Sequence, residues 1–535
     1  CHKELDLNWM GGKMHVGFPE KALEKYGYEL VSRGYKVCVV EQTETPKQME
    51  ERLKAEKKAG IKSNKLIKRE MVQVMSKGTY IDQNDPNHEP RYLLSIRSRG
   101  ELIGVAFLEI GSNKISLGAF KDDQNYTTFK TLVSQIRPSE VLFETLETDP
   151  NLIKIMRNSP NAPVISPVNN PKHWNSIVVN GELEKYYKSR ENWPEELKKI
   201  FSLEEFSQDI IMACFAGLIS YLTAMLIAEN VMATARYEIY DPATFAHDRM
   251  ILDSQALQHL EILEVGYSTK NPFEGSVLSN IDKTVTKFGK RLLRKWICAP
   301  LLNVKAINDR LDAVEELEEK NDYREKVRVA LGKLPDLERM CGRIYNLSVK
   351  KSVNVVLFEE VGVARLREFK KLLESFEYAC NILEEMRNGD FKSVLLKRLT
   401  TFDDPQSIIE GKSDNMPEIR KLLKEVADFV VWEGAKQEIP VPRPGADPDY
   451  DGIKEEIKGI EDEFTAYLKQ IQQQLDLLRP ELNKIQTFRQ SLAAELDNVS
   501  SLTKPLSESL KMLKNNPAFA ELYKTQEVLK QLGQI

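Results

Sequence analysis

Three groups of residues in this sequence have types and spacings that could support catalysis or phosphate binding. The first is Gly-Lys-Ser at 411–413, the closing triplet of a P-loop, in which a glycine-rich turn wraps nucleotide phosphates. The first glycine of that motif would fall at Gln406, and no apolar strand precedes it. Because the missing glycine leaves no turn of backbone amides to surround a phosphate, we interpret the triplet as a chance match in a loop. No other P-loop pattern occurs, so the sequence predicts no ATP site and no bound cofactor.

The second group consists of glutamates at the ends of strand-like segments, namely Glu109, Glu140 and Glu144. RNase-H-like nucleases gather carboxylates of this kind around two metal ions. Glu140 and Glu144 flank an apolar strand at 141–143, and nothing in the sequence places a second carboxylate beside either of them. We therefore expect solvated strand ends. No nucleophile is paired with a base either, so we predict no catalytic residue and do not expect this chain to be an enzyme.

The third group is a run of basic residues. Residues 52–69 contain eight cations and one acid, Glu56, which gives a local charge of +7 on a chain whose net charge is -5. Such cations suit phosphate contacts, which supply affinity without sequence information, although surface charge runs are usually solvated faces. Because the local sign opposes the global one, we predict a surface that contacts the DNA backbone. Its members are Lys62, Lys65, Lys68, Arg69 and Lys77.

Two alternatives remain for polar residues near this surface. Lys68 and Arg69 could instead form salt bridges with Glu70 or with other carboxylates. For Glu41 and Gln42, a hydrogen-bond network at the end of a strand is favoured over contact with a base.

Metal and disulfide chemistry have little support in the sequence. Six cysteines are scattered without a C-x-x-C pair, and none of the six histidines is paired as H-x-x-x-H or H-x-H. We therefore predict no metal site and no disulfide framework, and a reducing cytosolic or nuclear compartment.

The composition is that of a soluble, folded chain of several domains. At about 150 residues per domain, 535 residues correspond to three or four domains. Hydrophobic residues make up 41%, charged residues 29%, and the mean hydropathy is -0.41. The pI near 6.0 excludes a globally basic nucleic-acid binder but leaves room for a local basic patch. Since the chain opens with Cys1 and shows no signal peptide, we expect a fragment.

One uncharged segment, residues 210–228, is long enough to span a membrane. It contains several polar residues, and both of its flanks, Asp209 and Glu229, are acidic, whereas membrane spans usually carry Lys or Arg on the cytoplasmic side. We therefore predict a helix buried on all sides, with no membrane partner.

The patterning divides the chain into three regions and predicts a multidomain α/β plus all-α protein. Residues 1–85 combine a helix with two strand-like segments and end at a turn-forming Asp-Pro-Asn. Residues 88–237 contain three strand-like runs joined by short turns, then a helix and a buried strand, which is typical of an α/β domain. Residues 245–535 are overwhelmingly helical.

A long amphipathic helix is predicted near the end of the third region. Apolar residues recur at spacings of three and four from Ile453 to Leu478, and a second such run follows Pro480. We expect Pro480 to interrupt the helix. The two runs could then pack as an antiparallel hairpin or against a partner, and packing within the chain is favoured.

Motifs in the first region resemble the mismatch-binding domain of the DNA mismatch-repair MutS family. In chain order they are GFPE at 17–20, GYKV at 34–37, VEQTETP at 40–46, KRE at 68–70 and KGT at 77–79. The form of residues 40–46 and of Met49, Glu50 and Arg52 after them looks like the homologue 6 branch, the mismatch-reading half of the eukaryotic heterodimer.

Motifs in the third region are similar to the core domain of the same family. They are MILD at 250–253, LEI at 260–262, DKTVTKFGKRLL at 282–293, INDRL at 307–311, LPDLER at 334–339 and GADPDYD at 445–451. The resemblance covers roughly positions 4–475 in collinear order. It implies a partial mixed α/β mismatch-binding domain (1–85), an RNase-H-like α/β connector domain (88–237) and a long-helix core and lever domain (245–535).

The sequence also departs from the family's pattern. The family's wedge, a Phe-x-Glu that stacks on the mispaired base, belongs on a strand upstream of residues 17–20. Phe18-Pro19-Glu20 has the same pattern but occupies another element. The ATPase domain, which binds ATP and Mg in the full-length family, has no counterpart here, and helices stand in place of the clamp tip after about residue 475. We expect a chain that neither hydrolyses ATP nor discriminates mismatches alone.

The resemblance implies a nuclear protein that kinks duplex DNA at a mispair, where unstacking is cheap. The implied partners are double-stranded DNA with mismatches, a second MutS homologue in a heterodimer, and MutL-type downstream factors. The competing hypothesis is a non-catalytic scaffold that binds the partner homologue or repair factors without binding DNA.

Overall fold

The computed structural model describes the chain apart from a set of short gaps and the C-terminal segment. The residues outside the description are 12–13, 20–21, 61–63, 81–89, 201, 267–271, 349–358, 410–412, 414, 434–438 and 504–535. Lys62, the turn at 85–87 and most of the Gly-Lys-Ser triplet thus lie outside the described residues. The chain forms two compact units, residues 1–428 with 432–440 and residues 429–431 with 441 onwards.

The first region is built on a two-stranded antiparallel sheet, which pairs Val37 with Met75 at one end and Gln42 with Arg69 at the other. A glycine follows the end of the second helix, where Gly34 adopts a φ of +88° that other residues rarely take. The elements are α1 (His2–Leu5), α2 (Leu23–Ser32), β1 (Val37–Gln42), α3 (Pro46–Lys58) and β2 (Arg69–Met75).

The second region is a six-stranded mixed sheet with helices on both faces. The predicted meander is present as three antiparallel strands, β3 (Tyr92–Arg99), β4 (Leu102–Glu109) and β5 (Lys114–Lys121). The strand order is β7-β6-β3-β4-β5-β8, with the outer pairs parallel. The other elements are α4 (Thr127–Ile136), β6 (Glu140–Phe143), α5 (Pro150–Arg157), β7 (Val164–Pro167), α6 (Ser176–Tyr187), α7 (Glu195–Ile200), α8 (Glu205–Ala224), α9 (Ala228–Thr234) and β8 (Arg236–Ile239).

The apolar segment forms α8, and its side chains from 210 to 219 are all buried. Among the described helices, α8 is the one long and apolar enough to cross a membrane. It packs against the sheet so closely that a Cβ on Gly104 of β4 would lie 2.8 Å from Ile210. The prediction of a buried helix is confirmed. The helix ends earlier than the uncharged segment because Leu226 turns the chain with a φ of +61°.

The third region is helical, as predicted, with only four short strands among its described residues. The helices up to residue 429 are α10 (Pro242–Asp248), α11 (Ser254–His259), α12 (Val277–Ile281), α13 (Lys287–Cys298), α14 (Val304–Glu319), α15 (Asn321–Leu331), α16 (Leu337–Ser348), α17 (Glu359–Arg387), α18 (Val394–Thr400), α19 (Pro405–Ile409) and α20 (Arg420–Phe429). The strands are β9 (Phe402–Asp403), β10 (Met416–Pro417), β11 (Val430–Glu433) and β12 (Ile439–Pro442). The Arg291 guanidinium joins α13 to the start of α16 through two 2.7 Å bonds to Asp336.

The last described helix, α21 (Pro448–Thr503), is continuous for 56 residues, about 84 Å at 1.5 Å per residue. Pro480 lies inside it, so the prediction of an interruption, and of a hairpin formed by the two apolar runs, was wrong. A proline costs about 3 kcal/mol in a helix, and strong helix formers such as Leu and Gln dominate both sides of Pro480. Both apolar runs therefore lie on one helix, where Ile453, Ile460 and Phe464 are more than half exposed.

Candidate nucleic-acid interface

The basic run folds as one helix and the segment that leads into β2. Helix α3 begins at a capping box in which Thr45 and Gln48 bond each other's backbone N–H groups, and Pro46 fixes its first turn. The helix has no buried residue, as expected from its charge. Six of the eight cations of the basic run are exposed. They are Lys54, Lys57, Lys58, Lys65, Lys68 and Arg69.

Arg52, counted among the eight cations, has a different role. Its guanidinium donates two hydrogen bonds to the Glu44 carboxylate, at 2.9 and 2.7 Å, and a third cation–carboxylate contact joins it to Glu56 at 3.2 Å. It also donates to the carbonyls of Asn64 and Leu66, at 3.3 and 3.1 Å. Arg52 is therefore neutralised, and it holds the segment before β2 against α3.

Glu44 completes this arrangement. It is buried, and it accepts a 2.8 Å bond from the backbone N–H of Lys68 in addition to the two bonds from Arg52. The Arg52 hydrogen bonds lower the pKa of Glu44 to about 2, with a further contribution from the Lys68 N–H. Sequence reasoning missed this pair. The signal that could have revealed it was an acid directly before the N-cap of a helix, eight residues ahead of an arginine in the middle of that helix.

Three of the predicted contact residues lie together in sequence at the start of β2. Lys65, Lys68 and Arg69 are exposed, and no carboxylate in the described part of the chain lies within 4 Å of their cationic groups. The alternative of salt bridges for Lys68 and Arg69 thus finds no support among described residues. Arg69 is paired with Gln42 across the two strands, which places both on one side of the sheet.

Lys77 lies in a different environment from the other three. It follows β2, which separates it from Arg69 by about 20 Å of extended chain. Its ammonium donates to the carbonyl of Ala162 in the second region at 3.3 Å. Partial burial, and secondarily the charge of Arg91, lowers the pKa of Lys77. The structure therefore does not bring Lys77 together with the exposed cations.

The three candidate carboxylates are not solvated strand ends, so that expectation was wrong. Glu109, Glu140 and Glu144 are only 5%, 0% and 5% exposed. Each has its own partners, which lie elsewhere in the chain and could not be read from local sequence. Glu109 pairs with Lys295 at 2.9 Å, and Glu144 pairs with Arg97 at 3.5 Å. Among the described residues no group of three His, Cys, Asp or Glu is arranged to hold a metal.

Comparison with protein families gives two matches. Residues 1–84 match the model of MutS domain I, and residues 255–515 match the model of MutS domain III. The basic segment and the two-stranded sheet lie within the first match, and the helices from α12 to α21 lie within the second.

Comparison with curated proteins finds the DNA mismatch repair protein Msh6 of several eukaryotes. The chain is 32% identical to the proteins from Gallus gallus and Homo sapiens over 520 residues, which cover 87% of this chain and 38% of each relative. It is 30% identical to MSH6 of Arabidopsis thaliana over 514 residues. The chain spans less than half the length of these relatives.

Proposed function

Because the chain belongs to the MutS family of DNA mismatch-repair proteins and is Msh6-like, we propose that it is part of a mismatch-recognition subunit. This subunit binds mismatched duplex DNA as a heterodimer with a second MutS homologue, in the nucleus. MutL-type factors act downstream of it. ATP and Mg are cofactors of the full-length protein, and no residue of this chain is assigned to them.

The observation that carries the proposed DNA contact is the exposed cationic segment of the first region. Lys65, Lys68 and Arg69 are exposed, and the backbone of this segment is held by Arg52, which bonds the carbonyls of Asn64 and Leu66, and by Glu44, which bonds the Lys68 N–H. A set of cations on an ordered segment loses little conformational freedom when it meets phosphates. Phosphate contacts fix the position of a protein on the duplex without reading sequence, so this surface supplies affinity and not mismatch preference.

The domain assignment that we propose follows the family. Residues 1–85 are the mismatch-binding domain, residues 88–237 the connector domain and residues 245–535 the core and lever. An RNase-H-like connector is supported by the antiparallel meander β3-β4-β5, which the parallel strands β6 and β7 extend on the β3 side. The long helix α21 is the lever.

Binding of this chain to a matched and to a mismatched duplex across a salt series tests the proposal. We expect salt-sensitive binding that is equal for the two duplexes, because phosphate contacts do not depend on base pairing. The same preparation is expected to release no phosphate from ATP. Absence of DNA binding at low salt would favour the scaffold hypothesis, and preference for the mismatched duplex would mean that mismatch-reading contacts lie within these residues.

A further inference from the structure

Glu140 is the most deeply buried of the three candidate carboxylates, Glu109, Glu140 and Glu144. It is the first residue of β6, and its side chain is fully buried. One carboxylate oxygen, Oε2, accepts a 2.6 Å bond from the Ser76 hydroxyl and a 3.1 Å bond from the Gly78 N–H. The other, Oε1, accepts a 2.6 Å bond from Ser166 and a 2.5 Å bond from Tyr221. All four donors therefore converge on a single acceptor group.

These donors come from two different regions of the protein. Ser76 and Gly78 belong to the turn that follows β2 in the first region, whereas Ser166 and Tyr221 lie on β7 and α8 of the second. Lys36 of the first region adds its charge at 3.6 Å from Oε1, and its ammonium also lies 4.8 Å from the centre of the Tyr221 ring. The carboxylate thus joins the two regions by both hydrogen bonds and charge.

The turn that meets Glu140 is shaped for this contact. A Cβ added to Gly78 would lie 2.7 Å from the Cβ of Glu140 and 3.0 Å from Leu93, so only glycine allows the backbone N–H to reach the carboxylate. The Ser76 hydroxyl and the Thr79 hydroxyl are 2.9 Å apart, and the Thr79 N–H donates to the Ser76 carbonyl at 3.2 Å. These bonds within the turn hold the Ser76 and Gly78 donors in place.

A second buried carboxylate lies at the same end of the sheet but on its other face. Strand β3 pairs Tyr92 with Glu109 on one side and Leu93 with Glu140 on the other. Glu109 bonds Lys295 of α13 in the third region at 2.9 Å, but the Lys295 side chain is 45% exposed. The Glu140 contact with the first region is therefore enclosed, whereas water reaches the Glu109–Lys295 contact with the third.

We propose that Glu140 is a positioning residue that fastens the first region to the second, so that the two move as one body. A carboxylate suits this position because it only accepts hydrogen bonds and can satisfy all four donors at once. Any replacement leaves buried donors without an acceptor, and the joint then opens to let water reach them. This proposal rests on the proposed function in one respect only: the segment proposed to contact DNA belongs to the first region, which Glu140 fastens to the second.

The test measures the distance between the two regions in the full chain without DNA. One spin label is placed on the exposed Cys38 of β1 and one on Lys154→Cys of α5, in a background that carries Cys1→Ser and Cys341→Ser, and double electron–electron resonance gives the distance distribution. We expect a single narrow distribution for the parent and at least a twofold wider one for Glu140→Ala. Ser76→Ala, which removes one of the four donors, is expected to give a smaller increase in width.

Glu184→Ala, an exposed glutamate of α6 in the same region, is the matched control and is expected to leave the distribution unchanged. Circular dichroism establishes that the variants fold, and if Glu140→Ala does not, Ser76→Ala and Lys36→Met carry the test. If the folded variants of the Glu140 contact give a distance distribution as narrow as that of the parent, the proposal is overturned. Since no DNA is present, this outcome is independent of whether the chain binds DNA.

Discussion

Arg52 illustrates how a charged side chain can organise a binding surface without contributing charge to it. Its five N–H donors are used on two carboxylates and two backbone carbonyls, which a lysine could not do. The net effect is that the charge available to a partner comes from the exposed lysines and Arg69. At this scale, the residues proposed to contact DNA and the residues that hold their segment in place are different ones.

The Glu44–Arg52 pair has a predictable pH dependence. The pKa of Glu44 is lowered from 4.5 to about 2 by Arg52. Because the folded-state pKa lies below the unfolded one, the pair's contribution to stability is present above pH 4.5 and is lost as the pH falls towards 2. We expect Glu44→Gln to lower the melting temperature at pH 7, and the difference from the parent to shrink between pH 4.5 and 2.

Thermal unfolding followed by circular dichroism from pH 7 to pH 2.5 measures this difference. Glu50→Gln, an exposed glutamate on the same helix, is the control and is expected to match the parent at every pH. A Glu44→Gln difference that stays constant with pH would show that ionisation of this carboxyl is not what stabilises the segment.

The same scale shows what a sequence can and cannot reveal about single residues. Exposure of Lys65, Lys68 and Arg69 followed from their density of charge, since such residues are rarely buried. The ion-pair partner of Glu109 lies 186 residues away and the hydrogen-bond partners of Glu140 lie 26 to 81 residues away, so no local pattern indicates that these carboxylates are buried. Their role depends on tertiary contacts that a sequence pattern does not encode.

At the scale of elements, periodicity and turn chemistry were sufficient to predict most of the helices and strands. Three strand-like runs and the short turns between them predicted the meander, and an uncharged run predicted the buried α8. The failure at Pro480 has a specific cause. A proline has a local cost that a long helix can tolerate, so its presence alone does not decide where the helix ends.

The packing of α8 on the sheet depends on the absence of a side chain at Gly104. A Cβ there would lie 2.8 Å from Ile210 Cγ1 and 3.0 Å from its carbonyl oxygen, which is backbone and cannot easily move. We expect Gly104→Ala to lower the free energy of unfolding by about 1–3 kcal/mol, the typical effect of overpacking.

Gly181 in α6 provides the matched control because nothing lies within 4 Å of a Cβ built there. Gly181→Ala is expected to raise stability by about 0.5–1 kcal/mol through reduced backbone entropy of the unfolded chain. Urea denaturation of both variants gives the comparison. Equal stability of Gly104→Ala and the parent would mean that α8 can move away from β4 without cost.

At the scale of the whole molecule, the family matches account for residues 1–84 and 255–515, and the structure gives a six-stranded sheet for much of the chain between them. Composition alone predicted several domains and excluded a globally basic protein, whereas a hypothesis about function required the longer motifs. A chain with a net charge of -5 binds DNA only where its charges are unevenly distributed. The basic segment of the first region is therefore central to the proposed function.

The salt dependence of DNA binding by a triple variant tests this central claim most directly. Lys65→Gln, Lys68→Gln and Arg69→Gln are combined and compared with Lys154→Gln, Arg157→Gln and Lys172→Gln, an exposed control set with the same charge on the second region. Binding to one duplex is measured from about 50 to 200 mM salt.

Each lost phosphate contact reduces the slope of log K against log salt by about 0.9, so the triple variant is expected to lose about 2–3 from the slope. The control set is expected to keep the slope of the parent. A triple variant with the parent's slope and affinity would contradict the assignment of these three residues to the DNA backbone.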